Sequence, residues 1–85
     1  MKFTKKVVDI INKELGNYHT LTSEEIEAGK VTIKIKRFGS TKIKEISRGS
    51  SGKLFVSCHF EGDSYRFQDG CYQKADAAFI KAVRY

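Results

Sequence analysis

The sequence predicts an α+β fold: a two-layer sandwich in the order α-β-β-β-β-α, with an antiparallel four-stranded meander and both helices on one sheet face. Three observations carry this. Apolar residues recur at helical spacing near both ends of the chain and at every second position in the middle. The predicted strands are joined by turns too short for a crossover, so they pair antiparallel. Both helices carry an apolar stripe that needs a partner, and one face of the sheet supplies it. At 85 residues the chain reads as a single domain, 1–85, near the lower end of what buries its own core.

The first helix is expected over 3–15, where Phe3, Val7, Val8, Ile10, Ile11 and Leu15 form a wide stripe. Thr4 suits its cap, and Gly16 with Asn17 suits its stop. Lys2, Lys5, Lys6 and Lys13 lie off the stripe and read as a solvated face. The polar stretch 17–29 is a connection in which Thr22, Ser23, Glu24 and Glu25 resemble a cap and a short helical turn ending at Gly29. The period then changes to two. Val31, Ile33 and Ile35 alternate with Thr32, Lys34 and Lys36, a half-buried strand. Phe38, Gly39 and Ser40 turn the chain into a second strand over 41–48. Ile43 and Ile46 there have opposite parity, which a bulge near Glu45 would reconcile. Residues 49–52 are a flexible turn. A third strand over 53–60 sets Leu54, Val56, Cys58 and Phe60 on one face and Phe55, Ser57 and His59 on the other. Glu61, Gly62 and Asp63 turn into a fourth strand over 64–68, with Tyr65 and Phe67 facing in, which Asp69 and Gly70 break. The last helix carries Ala75, Ala78, Phe79, Ala82 and Val83 on its stripe.

A hydrophobic share of 40% with 31% charged residues fits a folded soluble chain rather than a disordered one. No apolar run approaches the roughly 18 residues of a membrane span. Asp9, Asn12, Lys13 and Glu14 interrupt the N-terminal stretch too often for a secretion signal. The expectation is a cytoplasmic protein with no membrane contact, no metal and no cofactor. Cys58 and Cys71 then read as reduced, buried structural thiols, preferred to a zinc site completed by His19 and His59.

Charge placement is the strongest functional signal. Of a net charge of +6, residues 30–53 carry +7: Lys30, Lys34, Lys36, Arg37, Lys42, Lys44, Arg48 and Lys53 against Glu45 alone. If the isoleucines of both hairpin strands face the core, Lys34, Lys36, Lys42 and Lys44 share the uncovered sheet face with Phe55, His59 and Arg66. Like charges opposite one another destabilise a sheet. One or two edge lysines suffice against sheet-to-sheet aggregation. A patch of this size suits a polyanionic partner.

The segment GKLFVSCHFEGDSYRFQDGCYQKADAAFIKAV resembles the second half of a double-stranded RNA-binding domain. Phe55, Val56, Ser57 and Cys58 stand where that family has its F-x-V-x-C strand, Gly62 its glycine turn, Gly70 the glycine just before its final helix, and Ala75, Ala78 and Ala82 that Ala-rich helix. The first helix, VVDIINKEL, resembles the family's own. That family grips phosphates with lysines opening its last helix, where this chain has Tyr72, Gln73 and Asp76 with only Lys74 nearby. The resemblance therefore implies RNA binding with the grip moved to the basic hairpin, which the family lacks. In size and lysine content the chain is also similar to small phage-encoded inhibitors of host defence, among them an RNA-binding, antitoxin-like inhibitor of a toxin endoribonuclease. That likeness implies a host toxin or defence protein as partner and the host cytoplasm as location.

The expected function is non-catalytic, largely sequence-independent binding of RNA in preference to DNA. Lys34, Lys36, Arg37, Lys42, Lys44, Arg48, Lys53 and Arg66 would contact phosphates, and Phe38, Phe55 or His59 would stack on bases. The alternative is a protein-binding inhibitor that covers an acidic or RNA-binding surface of a host enzyme without nucleic acid. A small nuclease built on His59 with Glu61 or Asp63 is the weakest reading, because no second histidine is placed to pair with His59. The exposed strand edges would allow a homodimer.

Overall fold

The computed structural model describes residues 1–61 and 66–84, and of Arg37, Arg66, Phe67, Gln68 and Asp69 the backbone alone. The expected inward position of Tyr65 and Phe67 lies outside what is described. The elements are α1 (Lys5–Glu14), α2 (Ser23–Ala28), β1 (Lys30–Arg37), β2 (Ser40–Arg48), β3 (Leu54–Phe60), β4 (Arg66–Tyr72) and α3 (Ala77–Val83). The strands form one antiparallel sheet in the order β1-β2-β3-β4. The predicted α+β architecture is observed, with the short turn after residue 22 realised as a further helix. No helix among the described residues is long and apolar enough to cross a membrane.

One core cements the two layers. Phe3, Val7, Ile11 and Leu15 from α1 and its flanks, and Phe79 and Val83 from α3, pack against Val31, Ile33, Ile35, Ile46, Leu54 and Val56 of the sheet. The edge of the Tyr72 ring meets Phe79 at 6.0 Å between centroids. Each helix begins on an oxygen that accepts a first-turn amide: Thr4 Oγ1 from Val7 N at 3.4 Å, Asp76 Oδ1 from Phe79 N at 2.9 Å. In α2 the capping is reciprocal. Thr22 Oγ1 accepts from Glu25 N, and Glu25 Oε1 accepts from Thr22 N at 2.9 Å. Gly29 closes α2 at φ 67°, beside the N-terminal backbone, where an added Cβ would lie 1.7 Å from the Met1 carbonyl oxygen.

Three expectations are corrected. The β1–β2 and β2–β3 registers run without a break, so there is no bulge near Glu45. The one shift lies further on, where Val56 pairs with Gly70 but Ser57 with Gln68, leaving Asp69 as the extra residue. Asp69 and Gly70 thus bend the fourth strand rather than break it, and it continues to Tyr72. The last helix accordingly starts only at Ala77, behind its Asp76 cap. Finally, neither thiol is buried: Cys58 is half-buried and Cys71 exposed. Their register puts them on opposite faces of the sheet, Cys58 opposite Lys44 and Cys71 opposite Phe55, so they cannot share one metal ion.

Candidate nucleic-acid interface

The unbroken register decides which way each hairpin lysine faces. Residues directly opposite each other in an antiparallel pair share a face. Val31, Ile33 and Ile35 face the helices, and their partners are Ile46, Lys44 and Lys42. Lys42 and Lys44 therefore belong to the helix-covered face, not to the open one, which corrects the expected lysine patch. Ile43, opposite Lys34 and His59, takes the open side instead.

Lys44 is only 3% exposed, the one charged side chain in the buried class among the described residues. Its ammonium has three protons to donate, and the backbone carbonyls of Ala82, Val83 and Arg84 accept at 2.9, 3.3 and 2.6 Å. These are the orphan acceptors at the C-terminus of α3, the negative end of its dipole. A lysine at an inward strand position thus caps a helix from the layer below. It is withdrawn from any ligand.

The open face reads in rows across the strands. Lys36 stands opposite Thr41. Lys34, Ile43, His59 and the Arg66 position form the next row, and Thr32, Glu45, Ser57 and the Gln68 position the one after. Lys34 and Lys36 are exposed, while Phe55 and His59 are half-buried in the surface. The Nδ1 atom of His59 is buried with no hydrogen-bond partner. Glu45 places a carboxylate on this face, so the face carries less positive charge than the sequence suggested. The contacts expected of the Arg37 and Arg66 side chains lie outside what is described.

The remaining cations collect at the two ends of the hairpin. At its tip, Phe38 and Gly39 form a two-residue turn with positive φ at both positions, 52° and 80°, the requirement of the hairpin turn that matches strand twist. Phe38 is 98% exposed there. Lys36 shares a shallow pocket with it, and Lys42 stands opposite Phe60, itself 38% exposed. Glu61 approaches the same end, its amide donating to the Thr41 carbonyl at 2.8 Å.

At the other end the fold joins Arg48, an expected phosphate contact, to Lys6, expected on a solvated helix face, and to Lys74, to which no contact was assigned. Lys6 of α1, Arg48 of β2 and Lys74 ahead of α3 line one pocket of about 230 Å³, with Thr4 and Gln73 beside them and Val7, Leu54 and Ala75 beneath. Arg48 is held in place, its Nη1 donating to the Lys2 carbonyl at 2.9 Å. None of the described residues lining this pocket is acidic. No signal along the chain joins positions 6, 48 and 74, and only the packing of α1 on the sheet does so.

Among the described residues, no group of three or more histidines, cysteines and carboxylates stands where it would hold a metal ion. No protein-family model, curated protein or solved structure matches the chain.

Proposed function

We propose that the chain is a non-catalytic RNA-binding protein that engages phosphates along its β1–β2 hairpin. The observation that supports this reading is the fate of the hairpin cations. Apart from the buried Lys44, the described ones are exposed or half-buried, and they gather at the tip, on the open face and at the base. Lys34, Lys36 and Lys42 serve the tip end, Arg48 and Lys53 the base, and Phe38 offers an exposed ring for stacking on an unpaired base. Contacts of this kind touch backbone rather than base edges, so recognition is largely independent of sequence.

The experiment is RNA affinity as a function of salt. Each neutralised phosphate contributes about 0.7–0.9 to the slope of log K against log salt. The Lys34→Gln/Lys36→Gln/Lys42→Gln protein should bind more weakly at low salt, with a slope shallower by about 2. Unchanged affinity and slope would reject the reading. A protein partner that stays bound after nuclease digestion would point instead to the same cations covering an acidic protein surface.

A further inference from the structure

The pocket lined by Lys6, Arg48 and Lys74 has a chemistry that the hairpin lacks. Its cations come from three segments and converge on one concavity, whereas the hairpin lysines are spread along a ridge. Arg48 is pre-positioned by its bond to the Lys2 carbonyl, and Gly52 of the adjoining turn borders the same pocket. Beneath them the buried Val7 and Leu54 supply an apolar floor, which strengthens any ionic contact made above it.

The first turn of α1 borders the same pocket, and it is built against the usual preference. A helix start favours acidic side chains, yet no acid occupies this turn. Lys5 and Lys6 stand there instead, adding positive charge to the positive end of the dipole. Their amides have no acceptor within the helix. Positive charge from side chains and from backbone thus accumulates on one small volume without a carboxylate among its lining residues.

Size and charge select the ligand. About 230 Å³ lies below the roughly 300–1,000 Å³ of pockets that enclose a whole drug-sized molecule. It has room for a phosphate and a few waters at about 30 Å³ each. A backbone phosphodiester carries one charge, whereas a phosphate monoester carries about −1.5 to −2 at neutral pH, a closer match for three cations. We propose that this pocket binds a phosphate dianion, presented as a terminal monoester at the end of a nucleic-acid strand or as free inorganic phosphate. Where the ligand is a strand end, the proposal rests on the RNA-binding reading. The pocket would then fix where a strand begins on the hairpin.

The test uses the full chain in three arms at constant ionic strength. Inorganic phosphate, titrated against chloride, should shift the backbone amide resonances of Lys5, Lys6, Gln73 and Lys74 with saturation. The shifts should weaken as pH falls and the phosphate dianion takes up a proton. An RNA oligonucleotide with a 5′-phosphate and the same oligonucleotide with a 3′-phosphate are each compared with the hydroxyl-ended form. One of them should bind about tenfold more tightly. The Lys6→Gln/Lys74→Gln protein should lose both effects while still binding hydroxyl-ended RNA. A Lys13→Gln/Lys81→Gln protein of equal charge should keep them. Saturable phosphate binding with no gain from either strand end assigns the site to free phosphate. Unsaturable shifts, or shifts that persist in the Lys6→Gln/Lys74→Gln protein, overturn the proposal even if RNA binds. Phosphate binding without any RNA binding would reject the RNA reading and leave the pocket standing.

Discussion

Lys44 shows how far a single residue can depart from what its position in a pattern suggests. An inward strand position normally asks for an apolar side chain, and a lysine there is tolerated because the carbonyls of Ala82, Val83 and Arg84 at the end of α3 accept from its ammonium. Replacing it by methionine fills similar volume but leaves the buried Val83 carbonyl and the part-buried ones of Ala82 and Arg84 without this donor. The expected loss is about 2–4 kcal/mol, since each charge-assisted bond contributes roughly 1.5–3 and packing restores part of it. At this chain length that lowers Tm by on the order of 15 °C. RNA affinity measured well below the new Tm should not change, and a fall in affinity at unchanged Tm would contradict the buried assignment. Glu25 gives a second prediction. Burial opposes its charge, but the Thr22 amide, the His19 ring at 2.8 Å and the Thr22 hydroxyl outweigh burial and hold its pKa below the ordinary 4.5. A depressed carboxylate stabilises the fold above its unfolded pKa, and that contribution disappears as pH falls through the folded value. The wild type should therefore melt above Glu25→Gln at pH 7, with the gap closing between about pH 5 and pH 3. A gap that stays constant through that range would show that the charge plays no part.

At the scale of elements, most of the sandwich was legible because its signals are local. The change from helical period to alternation at Val31, the threonine caps and the glycine turns each lie within a few residues of what they specify. What was not legible depends on contacts between elements. The opposite parity of Ile43 and Ile46 suggested a bulge, since nothing along the chain announces that the end of α3 will lie over Lys44. The bulge instead falls at Asp69, where a glycine nearby made a strand end the natural reading. The hairpin tip combines both kinds of information. Phe38 and Gly39 mark a turn, but a phenylalanine at φ 52° is an outlier for a bulky side chain, and at 98% exposure it gains little from burial. Asparagine tolerates this conformation far better. Phe38→Asn should raise stability by about 0.5–1 kcal/mol. If the ring stacks on a base, the same change weakens RNA binding about tenfold, within the roughly 1–3 kcal/mol of one stacking contact. Higher Tm with unaltered affinity would remove Phe38 from the interface.

For the molecule as a whole, the consequence is that one basic segment in sequence becomes two basic ends in space. From Lys30 to Arg37 the eight residues of β1 span about 23 Å at roughly 3.3 Å per residue, and the long dimension of the chain is 34 Å. Screening at physiological salt acts over about 8 Å, so the tip and the base do not sense each other electrostatically. Only a ligand long enough to touch both can gain from both. An A-form RNA duplex rises less per base pair than the roughly 3.4 Å of B-DNA, so spanning 23 Å takes at least about eight base pairs. Duplex RNA of four base pairs should therefore bind like a ligand for one end. At twelve base pairs affinity should rise well beyond the twofold expected from doubling the number of sites. Neutralising Lys34, Lys36 and Lys42 together should flatten that rise, since the base would then act alone, while leaving the four-base-pair affinity within a fewfold. Equal affinity for the two lengths in the wild type would mean that the two ends serve separate ligands, and a continuous phosphate track along the hairpin would have to be given up.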